Sequence, residues 1–164
     1  MTVRKPFDKA LYDVADTKAK KHMVDWLNFH NDYCFLDDRI YNISTNETYY
    51  FDIVCTVDDA NPRLLYEVEI KYSWKGDWPD SWKEIRIPER KRRLLDKWKE
   101  ECPDDILTFV VFRDDCKKAW HIDGATLLEC EVREAPNRNI RKGEKFFHIP
   151  TNDAYLMDMT YEEN

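Results

Sequence analysis

The first thirty residues carry apolar side chains at helical spacing. Phe7, Leu11, Val14, Ala15, Ala19, Met23, Trp26 and Leu27 recur every few residues, which predicts an amphipathic helix from Phe7 to about His30. The pattern then changes to short apolar stretches bounded by Asn- and Asp-rich turns. Three strands are predicted there, at roughly Tyr33–Tyr41, Thr48–Val57 and Leu64–Trp74. A loop from Gly76 to Ser81 follows. A second helix is predicted to begin near Pro88, a favoured first-turn position, and to run through Leu94, Leu95 and Trp98 to about Cys102, where Pro103 closes it. Ile106–Phe112 is a continuous apolar run, as expected of a buried central strand. Asp123-Gly124 reads as a tight hairpin turn between strands at Ala119–Ile122 and Ala125–Cys130. One more strand or an irregular edge is expected around Phe146-Phe-His-Ile149. The order helix, three strands, helix, strand, further strands predicts an α/β fold with a mixed central sheet flanked by helices. No repeat or linker interrupts it, so residues 1–164 read as one domain.

Polar residues inside the predicted strands change the picture from fold to chemistry. Side chains on a strand alternate between its faces. On the third strand Tyr66, Val68, Ile70 and Tyr72 face one way, and Glu67, Glu69 and Lys71 face the other. On the second strand Asp52 is the lone charge among Tyr, Phe, Ile and Val. If the two strands pair, Asp52 can lie beside Glu69. Burying such carboxylates costs several kcal/mol unless they are paired or bind metal. A hard cation such as Mg²⁺ accepts one or two carboxylates and fills its other positions with water and phosphate oxygens. Lys71, two residues along the same face, can orient or help deprotonate an attacking water, or neutralise developing phosphorane charge. The bland alternative is an edge strand whose Glu67, Glu69 and Lys71 face water in cross-strand ion pairs. Acid-x-Lys triplets also occur at Asp16-Thr-Lys18, Glu89-Arg-Lys91 and Asp115-Cys-Lys117. Of the set, Glu69-Ile-Lys71 alone lies in an apolar strand that follows a strand with a solitary Asp.

An Asp at the end of one strand, then Glu-x-Lys on the next, then a helix, resembles the PD-(D/E)XK (restriction-endonuclease-like) nuclease superfamily. Asp52, Glu69-Ile-Lys71 and the Pro88–Cys102 helix carry the resemblance, which spans roughly residues 7 to 112. It implies an αβββαβ core, with the remaining strands added at the C-terminal end. It also implies Mg²⁺- or Mn²⁺-dependent hydrolysis of phosphodiester bonds, with DNA ahead of RNA as substrate. Asp52, Glu69 and the Ile70 backbone carbonyl would be the metal ligands, and Lys71 would join them in catalysis. Phe51 stands where the motif has its proline. Many members supply a further acid from the first helix. Asp8, Asp13, Asp16 and Asp25 are the candidates, and Asp16, near the Ala19–Met23–Leu27 face, is chosen as catalytic residue and ligand.

Charge distribution bears on the substrate. The net charge of −7 speaks against a general nucleic-acid binder. Between Lys83 and Lys99, however, eight basic residues face three acids, so one basic patch sits on an acidic body. Arg86, Arg90 and Arg93, with Lys97, are candidate phosphate-backbone contacts along one side of the second helix. A solvated helix face is the equally weighted alternative. Trp74, Trp78 and Trp82 gather around the loop, where they could stack on bases, form a hydrophobic lid or make a subunit contact. The four histidines show no metal-ligand spacing.

Composition sets the remaining bounds. With 43% apolar residues the chain can build a core, and no stretch approaches the ~20 apolar residues needed to span a bilayer. The start of the chain lacks the apolar segment of a secretory signal. Five widely spaced cysteines argue against a disulfide framework and against a zinc site. A cytoplasmic setting is expected, the host cytoplasm if the chain is phage-encoded, as its small, heavily charged character suggests. A homodimer would let such an enzyme cut two strands. The competing readings are a catalytically inactive protein of the same fold that binds nucleic acid or regulates, and a viral assembly component using aromatic anchors.

Overall fold

A computed structural model describes residues 9–31, 41–45, 51–57, 60–134 and 143–161, with no side chains described for 9–16, 31, 60 and 61. The long helix α1 covers Lys9–Asn31. Strands β1 (Asn42–Ser44), β2 (Ile53–Val57) and β3 (Ala60–Ile70) follow. Then come β4 (Glu84–Pro88), a short 3₁₀ turn and α2 (Arg92–Glu101). The chain continues through β5 (Ile106–Phe112), β6 (Lys118–Asp123), α3 (Gly124–Glu129) and β7 (Glu131–Glu134). It ends with β8 (Lys145–Pro150) and β9 (Tyr155–Asp158).

Two sheets form. The larger has the order β1-β2-β3-β5-β6-β9, and the smaller has the order β4-β8-β7. In the larger sheet β3 is antiparallel to β2 and parallel to β5, with Leu64 opposite Ile106 and Ile70 opposite Phe112. A parallel pair needs a crossover, and the chain between β3 and β5 supplies one carrying β4 and α2. At the start of that pair the buried Asp105 carboxylate accepts from the Arg63 backbone N–H at 2.8 Å and from its Nε at 2.9 Å. The mixed α/β class is as expected.

Apolar side chains cover much of both faces of the sheet. On one, Leu64, Tyr66, Val68 and Ile70 of β3 and Val110 and Phe112 of β5 pack under Ala19, Met23, Trp26 and Leu27 of α1. These helix residues lie on the apolar stripe read from the sequence. On the other face, Leu65 of β3 and Leu107, Phe109 and Val111 of β5 meet Leu94 and Leu95 of α2, Leu127 of α3, and Ile85, Ile87, Phe147 and Ile149 of the small sheet. Burial on both faces explains why β5, which has the predicted boundaries, is apolar from Phe109 to Phe112.

Several expectations change. The first predicted strand falls mostly outside the described residues, and β1 begins after it, at Asn42. The third strand ends at Ile70, because the Trp74 N–H turns back to the Lys71 carbonyl at 3.0 Å. Residues before Pro88 form a strand, not the start of a helix. Ile85 and Ile87 point into the core at period two and pair with Ile149 and Phe147 of β8. Only after a 3₁₀ turn at Glu89–Lys91 does α2 begin. Asp123-Gly124 is not a hairpin. Gly124 opens α3, and β6 pairs with β9 instead.

Gly124 serves close packing rather than turning. A Cβ there would stand 3.0 Å from the Trp98 ring and 3.3 Å from both the Leu107 Cβ and its carbonyl oxygen. Neither neighbour moves freely. The Trp98 indole N–H is tied to the Asp105 carbonyl at 2.8 Å, and Leu107 lies in a central strand. Overpacking of this kind costs about 1–3 kcal/mol, whereas alanine gains at most about 1 kcal/mol over glycine in a helix interior and less at the first position that Gly124 occupies. Gly124→Ala is therefore expected to lower the unfolding free energy measured in urea. A neutral or stabilising result would show that this contact yields.

Candidate functional site

The side chains that bear charge on β3 all lie on its α2-facing side. Since Tyr66, Val68 and Ile70 belong to the α1 layer, Glu67 and Glu69 project to the opposite face, beside Leu65, and Lys71 follows just past the end of the strand, its N–H bonded to the Phe112 carbonyl at 2.9 Å. Asp52 sits at the entry to β2 and is docked on the same strand. Its Oδ2 accepts the Val68 backbone N–H at 3.1 Å, and its own backbone N–H donates to Glu67 Oε1 at 3.2 Å. With Ile53 opposite Tyr66, the register sets Asp52 against Glu67 rather than against Glu69 as anticipated.

Glu67 is buried, and Lys91, in the turn before α2, reaches it with Nζ 2.6 Å from Oε2. Burial pushes the Glu67 carboxyl up to about 7, and the nearby Asp52 adds to this against the pull of Lys91. For Lys91, burial alone would lower the pKa, but Glu67, Glu69 and Asp52 act on it together and hold it above the usual lysine value. Both partners thus titrate higher than usual, Glu67 because burial disfavours its charge and Lys91 because three acids act on one ammonium. Lys20 of α1 comes within 3.8 Å of Asp52 Oδ1 from the other side.

Lys71 lies at the border of this cluster. Burial lowers its pKa, Arg86 lowers it further, and Glu69 partly offsets both. Its Nζ stands 5.4 Å from the centre of the Trp82 ring. Asp52, Glu67, Glu69, Lys71 and Lys91 therefore share one electrostatic environment.

The remaining candidates scatter. Asp16 falls in α1, one turn before Lys20, but its side chain lies outside the described residues. Arg86 is on β4 opposite His148, so it is not on one helical side with Arg90 and Arg93. Arg90 pairs with Glu144 at 3.0 Å, and Lys97 with Glu101 at 2.7 Å on α2. Arg93 is exposed on α2. The tryptophans are largely structural. Trp74 is fully buried, and Trp74, Trp78 and Trp82 form a chain of edge-to-face contacts with ring centres 5.1 Å apart. Glu67, though noted on the charged face, and Lys91 were missed as partners. Nothing local marks Lys91 within a basic run.

Asp52 and Glu69 are carboxylates, the ligand type that a hard cation takes one or two of, and both act on the charge of Lys91. This donor set does not suit a cage of many side chains. Among the described residues, no group of three or more His, Cys, Asp or Glu side chains is gathered for metal binding. No protein-family model matches the chain, and no curated protein matches it. No helix among the described residues is long and apolar enough to cross a membrane.

The raised Glu67 pKa has a consequence for stability. Between the ordinary value of 4.5 and about 7 the folded chain binds more protons than the unfolded one, so this group's contribution is greatest in acid and is lost as pH rises through that window. Glu67→Gln removes the titration. Relative to wild type, the variant is expected to gain on the order of 2 kcal/mol between pH 5 and pH 8. Thermal unfolding of both proteins across that range measures it, and a pH-independent difference would contradict the assignment.

Proposed function

We propose that the protein is a metal-dependent nuclease that hydrolyses phosphodiester bonds, with DNA as the first substrate to consider. One observation carries the reading. The Asp52 carboxylate is bound to the backbone of β3 beside the row Glu67, Glu69 and Lys71, on a sheet face that is otherwise apolar. Further support comes from the succession α1, β1, β2, β3, then α2 and β5 after the intervening β4 of the small sheet, with β3 and β5 parallel, which is compatible with a restriction-endonuclease-like core carrying an inserted strand.

In this reading Asp52 and Glu69, with the Ile70 carbonyl and a contribution from Asp16, would hold Mg²⁺ or Mn²⁺. The bound ion would supply charge stabilisation at a phosphoryl oxygen and acidify a water. The chain's own groups do the rest. Lys71, with its pKa lowered by burial and by Arg86, keeps its ammonium close to the carboxylates and can exchange a proton at Nζ with the attacking water. Lys91 positions Glu67 and, through charge, the neighbouring acids. Arg86, Arg90, Arg93 and Lys97 supply positive charge for the strand, with Arg90 and Lys97 first leaving their own ion pairs. A dimer would present two such sites to a duplex.

A non-catalytic binding or regulatory protein is the second reading. The observation on its side is that Lys20 and Lys91 already neutralise Asp52 and Glu67. Incubation with DNA and RNA in Mg²⁺ or Mn²⁺ separates the two. Cleavage is expected, and Asp52→Asn and Lys71→Ala are each expected to slow it by about 10²-fold or more. Calorimetry should show Mn²⁺ binding that Asp52→Asn weakens. Cleavage that survives both substitutions would overturn the site. Salt-dependent nucleic-acid binding without cleavage or Mn²⁺ binding would favour the second reading.

A further inference from the structure

Lys71 faces Glu69 on one side and a cleft on the other. The cleft has a volume of about 390 Å³, and Lys71, Ser73, Ser81, Trp82, Lys83 and Arg86 line it. Its size falls within the range of small-ligand sites, roughly 300–1,000 Å³. Its charge is unbalanced. Among the described residues, Lys71, Lys83 and Arg86 have no carboxylate at ion-pair distance. Glu84 also lines the cleft, but its carboxylate is engaged elsewhere, by Arg133 and by His148 Nδ1 at 2.9 Å.

We infer that this cleft is a strand-end subsite: Lys83 and Arg86 hold a terminal phosphate of a nucleic-acid strand, with its nucleoside against Trp82 and the next phosphodiester at Lys71. The placement beside Lys71 rests on the nuclease reading. The ligand follows from the charge. A terminal phosphomonoester carries about −1.5 to −2 at neutral pH, which two cations lacking carboxylate partners match, whereas an internal diester carries a single charge. The Arg86 guanidinium offers a planar fork suited to phosphate oxygens, and the Ser73 and Ser81 hydroxyls can donate to the same group. Trp82 gives the nucleoside an aromatic wall that does not depend on base identity. The outcome is an enzyme that engages strand ends.

Fluorescence anisotropy in EDTA tests this without cleavage. Three internally labelled single strands of one sequence are compared: one with a 5′-phosphate, one with a 3′-phosphate and one with neither. One phosphorylated strand is expected to bind at least about tenfold more tightly than the unphosphorylated strand, and the end that is preferred names the polarity. Lys83→Ala and Arg86→Ala should each remove most of that preference, and Asp52→Asn should keep it. Equal affinity for the three strands, or a preference that survives both substitutions, would overturn the subsite. Cleavage assays on the same proteins keep the two ideas apart. End preference without cutting retains the subsite and removes the nuclease reading, and cutting without end preference does the reverse.

Discussion

The ion pair between Glu67 and Lys91 is the constraint on which the site depends. A carboxylate in the middle of a central strand, covered by a helix and a second sheet, would be too costly to keep charged alone. Lys91 meets it at 2.6 Å and so ties the turn before α2 to β3. Removing one partner of a buried pair leaves an uncompensated charge, which costs about 3–5 kcal/mol. The pair therefore sets where α2 begins relative to the sheet. It also fixes the acids around it, since Asp52 is bonded to the Val68 and Glu67 positions of the same strand.

The arrangement of layers follows from how β3 divides its side chains. One side is wholly apolar and accepts α1. The other is apolar at Leu65 and then charged at Glu67, Glu69 and Lys71. The layer over this second face covers Leu65 with Leu94, Leu95 and the inward residues of β4 and β8. Towards the end of β3 the cover gives way to the cleft at Lys71, where Trp82 and Arg86 form a wall. Packing of the tryptophans against one another supports that wall from behind. Polar chemistry and apolar packing thus share one face of one strand, separated along its length.

Much of this was legible in the chain because it rests on period. The α1 stripe, the alternation on β3 and the apolar run of β5 each follow from repeating geometry within a few residues. The errors share a cause. Pro88 and the basic run resembled a helix start, yet Ile85 and Ile87 needed β8, sixty residues away, to reveal a strand. Asp123-Gly124 has turn chemistry, but Gly124 answers to Trp98 and Leu107 pressing on it. Trp74 and its neighbours resembled loop aromatics, and their burial depends on a core assembled from strands and helices far apart in the chain.

The chain by itself determined that a strand would carry two glutamates and a lysine on one face and that a lone aspartate would precede it, because side-chain alternation is a local property of the extended backbone. Only the tertiary structure decided that Asp52 meets Glu67 instead of Glu69, that Lys91 is the buried counter-ion, and that Arg86 joins Lys71 at a cleft instead of lining a helix. Those choices turn on strand register and on which distant charges a folded layer brings within a few ångströms, and neither is encoded in any one stretch of residues.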